Sequence, residues 1–154
     1  MTKLWAGALA VAMCSIAPLP ASAEWQKKMG GDPLDGGRFE LFVARSESGK
    51  TVLVAACENK KTQFFWQIMS RGEIPLSYDA MPVTFKVGSQ GKREEDWAIG
   101  NPRQLVWPKD KDKFFTSLGG EKQLAIATPF TETEVFDISG VDAVIKSVKA
   151  ACGK

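Results

Sequence analysis

Apolar and polar positions alternate with a period of two along several stretches of this chain. Over 82–88, Val83, Phe85 and Val87 are separated by Thr84 and Lys86, and over 122–128 Leu124 and Ile126 repeat the scheme. Alternation sends successive side chains to opposite faces, which is the pattern of a strand with one buried side. Residues 38–44 and 51–58 read as two more strands around Ser46-Glu47-Ser48-Gly49-Lys50, a hairpin loop, and Asn59-Lys60-Lys61 supplies the next turn. Over 62–69, Phe64, Trp66 and Ile68 share a face while Phe65 and Met69 fall on the other. That strand is therefore expected to be covered on both sides, or nearly so. Ahead of all these, Gly30-Gly31-Asp32-Pro33-Leu34-Asp35-Gly36-Gly37 is rich in residues that permit sharp reversals.

Two segments change to a helical period. Residues 112–118 present Phe114, Phe115 and Leu118 and stop at Gly119-Gly120. Near the end of the chain, Val141, Val144, Ile145, Val148 and Cys152 form one apolar stripe. Ser139 is placed to cap that helix. Asp142 lies near its positive end, and Lys146 and Lys149 lie toward its negative end. The fold expected is α+β: an antiparallel, curved sheet, sandwich- or barrel-like, with the C-terminal helix packed on it.

Residues 1–23 carry a different pattern. Lys3 precedes an apolar stretch over 4–17, Pro18 and Pro20 break it, and Ala21-Ser22-Ala23 follows as a small-x-small site. This is the layout of a cleaved export signal, and its apolar part is shorter than the about 20 residues that span a membrane. One domain over 24–154 is expected in the periplasm, with no stable membrane insertion after cleavage. Lipidation at Cys14 ranks below simple cleavage, because Met13 is bulky where the processing enzyme wants a small residue. After cleavage two cysteines remain, Cys57 and Cys152, in a compartment where thiols oxidise. A disulfide between the predicted strand over 51–58 and the last helical turn is the expectation. The rival, a redox pair, lacks the Cys-x-x-Cys spacing.

Composition narrows the chemistry. Of 154 residues, 44% are hydrophobic, enough for a packed core, and 20 Lys and Arg against 18 Asp and Glu do not make a nucleic-acid binder. The chain has no histidine, which removes histidine-activated nucleophiles and imidazole metal sites. Glu94-Glu95-Asp96 beside Trp97 is the one acidic cluster next to an aromatic, and it reads as a solvated hairpin tip rather than a glycosidase pair. Asp32 and Asp35 could offer oxygen to calcium, but their spacing is not that of an EF-hand and Pro33 favours a turn. Ser147 stands on the exposed side of a helix with no activating partner. Lys109-Asp110-Lys111-Asp112-Lys113 alternates in sign and reads as a solvated loop entering a helix. No catalytic, cofactor-binding or metal-ligating residue is assigned. Tyr78, Arg93 and Trp97 form the candidate partner surface, because loop-flanked aromatics and arginine are enriched at binding hot spots.

A likeness runs along the chain. Val135-Phe136-Asp137-Ile138-Ser139-Gly140, followed by a helix ending at Cys152, resembles the C-terminal signature of type VI secretion-associated VasI/TagO-like periplasmic proteins and their uncharacterised alphaproteobacterial relatives. Asp32-Pro33-Leu34-Asp35, residues 53–57, Val83-Thr84-Phe85-Lys86 before Trp97, Phe114-Phe115-Thr116-Ser117-Leu118 and Leu124-Ala125-Ile126 are similar in order and spacing. The resemblance implies an envelope-associated accessory role without known catalytic chemistry. The function expected is a non-enzymatic periplasmic accessory or binding protein with an envelope or secreted protein as partner. A small inhibitor of a cell-wall hydrolase or protease is the alternative, since a rigid loop loses little entropy on binding.

Overall fold

The computed structural model describes residues 25–31, 38–68, 74–100 and 103–153. The expected leader (residues 1–23), Cys14, the Asp32–Asp35 turn and Met69 lie outside them. Nine strands and two helices follow one another: β1 (Gln26–Gly31), β2 (Arg38–Arg45), β3 (Thr51–Glu58), β4 (Lys61–Ile68), β5 (Ala80–Val87), β6 (Arg93–Ile99), β7 (Leu105–Trp107), α1 (Lys111–Ser117), β8 (Gln123–Ala127), β9 (Glu134–Asp137) and α2 (Val141–Cys152). Among the described residues no helix is long and apolar enough to cross a membrane.

All strands join one antiparallel sheet in the order β1-β2-β3-β4-β7-β6-β5-β8-β9. The first four strands form a meander, and β5 to β7 form a second one that is reversed, so β7 and not β5 joins β4. Between β3 and β4, Glu58 pairs with Lys61 across a two-residue turn in which Asn59 and Lys60 both have positive φ, 51° and 59°. That is the turn geometry whose twist matches a hairpin. The sheet curls until the β2–β3 hairpin touches β9. There the N–H of Glu47 donates to the carbonyl of Val135 at 2.8 Å, and Ser48 Oγ donates to the buried Glu134 carboxylate.

Curling gathers the alternating apolar residues inside. Leu53, Phe64, Trp66, Met81, Val83, Trp97, Leu124, Ile126 and Phe136 are all fully buried. The alternation read in β5 and β8 holds residue by residue. In β4, Phe64, Trp66 and Ile68 face inward as expected, whereas outward Phe65 is only half-buried. The strand buried on both faces is β3, whose first six residues are all buried.

α1 closes the end of the curled sheet at which β4 starts and β5 ends. Asp110 accepts from the N–H of Lys113 at 2.9 Å and caps the helix, and the Phe115 and Phe114 rings stack and tilt against Phe64 at 5.5 and 5.4 Å. α2 carries the chain from β9 back across the concave side to β3. It buries Val141, Val144 and Val148, each contributing about 1.5–3 kcal/mol. Its last residue, Cys152, is bonded to Cys57 of β3, with Cα atoms 5.4 Å apart and a sequence separation of 95. The disulfide and the apolar stripe specify the same docking.

The start of α2 differs from expectation. Ser139 does not cap it: the capping position belongs to Gly140, at φ +82°, and makes no side-chain bond. The Asp137 carboxylate accepts from the N–H of Ser139 at 2.9 Å instead, and Asp142 reaches across to accept from the N–H of Gly120 at 3.1 Å. Left-handed backbone at Gly140 turns the chain out of β9, and a Cβ there would meet nothing within 4 Å. The cost of a side chain at this position is therefore purely conformational. Gly140→Ala is expected to lower the unfolding free energy by about 1 kcal/mol, and Gly140→Asn by less, as read from urea melts.

Candidate functional site

The register decides where the sequence-predicted surface residues go. On β6, Trp97 pairs with Met81, Glu95 with Val83 and Arg93 with Phe85, so all three share the inward face with these core residues. Trp97 is fully buried and packs edge-on against Phe114 at 4.9 Å. It belongs to the core and leaves the candidate partner surface. Tyr78 is half-buried, edge-on to Phe130 at 4.9 Å, just before the start of β5. Arg93 lies at the opposite end of that hairpin. The structure does not bring the three together.

Glu94-Glu95-Asp96 is not a hairpin tip either. These residues are part of β6, which runs on past the covered core, so they are exposed although they are strand. Glu94 and Glu95 project to opposite faces. Glu94 accepts from Thr84 Oγ1 at 3.5 Å on the outside, and the pair of carboxylates that glycoside hydrolysis needs is not formed by these two.

Where β6 outruns the core, a cleft of about 340 Å³ opens between it and α1. Phe85 and Phe114, 5.1 Å apart and edge-to-face, make its floor. Its rim carries Arg93, Glu95, Lys109 and Lys113. Arg93 donates to Gln90 Oε1 at 2.8 Å at the exposed hairpin end, and Gln90 donates to Glu121 at 3.3 Å. Among the described residues none of the four rim charges is in an ion pair; the pairs found are Lys27–Glu40 and Lys50–Glu132.

A second concavity, about 430 Å³, lies on the outer face of the sheet across β2, β3, β4 and β7. Phe39, Leu41, Val54, Phe65, Leu105 and Trp107 line it. Strand alternation places them there as the outward partners of the core residues. Lys111, the first residue of α1, reaches this face. Its Nζ stands 4.6 Å from the centre of the Trp107 ring and donates to Gln63 Oε1 at 2.6 Å. Burial pushes the Lys111 amine below its ordinary range, and the Glu58 carboxylate on the same rim partly opposes that. Sequence reading treated Lys111 as one charge of a solvated loop. The structure makes it half-buried, with its ammonium over the Trp107 ring.

Arg103 was also missed. Its guanidinium donates to the carbonyls of Ile74, Pro75 and Tyr78 at 2.6–2.9 Å, which holds the connection into β5 and with it Tyr78. Nothing local in the sequence marks it, since its partners are 25 to 29 residues away.

Comparison of the chain with family models, with curated proteins and with solved structures gives no match.

The outer groove depends on one glycine. A Cβ on Gly100 would sit 2.4 Å from the Trp107 ring and 3.0 Å from Leu105, so the ring packs directly on bare backbone. Gly100→Ala is expected to cost about 1–3 kcal/mol and to drive Trp107 outward, seen as a lower urea midpoint and a red-shifted tryptophan emission. An unchanged midpoint would contradict this packing.

Proposed function

We propose that this chain is a non-enzymatic accessory domain of the cell envelope, working in the periplasm by binding another envelope or secreted protein at the cleft between β6 and α1. The observation that carries the reading is the make-up of that cleft: an aromatic floor ringed by charges of both signs that have no ion-pair partner among the described residues. Protein interfaces have this anatomy, an apolar centre within a polar rim. Rim charges of mixed sign set the orientation and approach of a partner more than the final affinity.

Three features of the sequence support the setting. The leader pattern over 1–23 is that of an exported chain. A structural disulfide persists where thiols are kept oxidised. The likeness to VasI/TagO-like proteins points to an envelope accessory role, and the elements that carry it have structural reasons here. Phe136 and Ile138 are core residues, the Asp137 carboxylate accepts from the N–H of Ser139, and Gly140 turns the chain into α2.

Reversing two rim charges tests the site without touching the core. Arg93→Glu with Lys113→Glu is expected to leave the melting profile in place and to reduce the yield of the crosslinked partner from intact envelopes at least tenfold. Repeated recovery of the protein alone, uncrosslinked, would contradict the proposal.

A further inference from the structure

The outer-face groove asks for a ligand of its own. It lies on the convex side of the sheet, whereas the proposed protein-binding cleft lies at the rim of the concave side. Four neighbouring strands contribute to it, three interstrand steps of about 4.8 Å each, so the apolar floor is about 14 Å long. Its volume of about 430 Å³ falls within the about 300–1,000 Å³ of small-molecule pockets. Apolar side chains make most of the lining, and the polar groups converge at one end.

The polar side chains at that end are Lys111, Gln63 and the exposed Glu58. Lys111 is half-buried over Trp107 and holds a single neutral partner, the Gln63 carboxamide oxygen. Among the described residues no carboxylate comes within 4.0 Å of it, Glu58 included. With Oε1 of Gln63 taken by the lysine, the amide N–H groups of Gln63 have no acceptor among the described side-chain bonds. Two donors, one of them a partly desolvated cation, thus stand side by side at the end of an apolar trough.

We infer that this groove binds a long-chain carboxylate, with the alkyl chain lying across β2, β3, β4 and β7 and the head group bound by Lys111 and Gln63. A carboxylate has two oxygens, one for the ammonium and one for the amide. A charge-assisted hydrogen bond at a partly desolvated site is about twice as strong as a neutral one. The chain supplies apolar area, and the head group fixes its direction in the groove.

The test uses the oxidised full chain and three probes of equal chain length, all below micelle concentration: dodecanoate, dodecanol and dodecyltrimethylammonium. Binding is followed by calorimetry and by quenching of tryptophan fluorescence. Dodecanoate is expected to bind with one-to-one stoichiometry and at least tenfold more tightly than dodecanol, and the ammonium amphiphile more weakly than either. Lys111→Met should bring dodecanoate and dodecanol to within threefold of each other without changing dodecanol binding. Leu105→Gln should weaken both probes together. Equal affinity for acid and alcohol in the unaltered protein, or an acid preference that survives in Lys111→Met, would overturn the inference. Absence of amphiphile binding, with partner crosslinking lost in Leu105→Gln, would assign the groove to a protein segment and also overturn it. Because Arg93→Glu with Lys113→Glu alters only the other face, its outcome is read separately.

Discussion

One covalent bond, between Cys57 at the end of β3 and Cys152 in the last turn of α2, holds together what the sheet alone does not. The sheet curls far enough for the β2–β3 hairpin to touch β9, yet among the described residues β1 and β9 are its two edge strands. A curled open sheet leaves its concave face to be covered by something else. α2 covers it, starting from the last strand and ending on the third. A 12-residue helix with three buried valines has a modest apolar footprint, and such a helix draws its stability from docking rather than from its own propensity. Closing a loop of this length by a disulfide contributes about 4–5 kcal/mol through the unfolded chain, a large share of a domain stability of about 5–15 kcal/mol.

Much of the architecture was legible because its signals are local. Alternation marked β4, β5 and β8, and the hairpin loop between β2 and β3 marked those two, each to within two residues at either end; the helical stripe and two cysteines together placed α2 on β3. What was missed has specific causes. β1 is an edge strand of glycine and lysine with no apolar period, and β7 has only three residues. β9 carries a buried glutamate where alternation wants an apolar residue, because Ser48 from the facing hairpin binds it. β6 reads as a loop because its first four residues are charged, and they are charged because the strand extends past the core. Trp97 looked loop-flanked for the same reason, and only pairing with Met81 reveals that it faces inward.

The two concavities were illegible for another reason. Each is assembled from residues that the register brings together from distant strands. The outer groove takes side chains from 39 to 111, and its chemistry turns on Lys111, whose neighbours Asp110 and Asp112 make it look like one charge of a self-cancelling run. Asp110 is occupied as the cap of α1, and Asp112 accepts from Thr62 at 3.0 Å. With both of these carboxylates engaged elsewhere, the lysine lies over Trp107, hydrogen-bonded to the Gln63 amide, with Glu58 on the same rim but beyond ion-pair distance. The same helix α1 thus serves both faces, its Phe114 helping to floor the inner cleft while its first residue reaches the outer groove.

Equilibrium unfolding in urea, run on the oxidised protein and on the Cys57→Ala, Cys152→Ala double variant, examines the clamp most directly. If the bond holds α2 onto the curled sheet, the variant loses about 4–5 kcal/mol of unfolding free energy. Curves that coincide within about 1 kcal/mol, or two thiols that react with alkylating reagent in the native protein before any reductant is added, would contradict it.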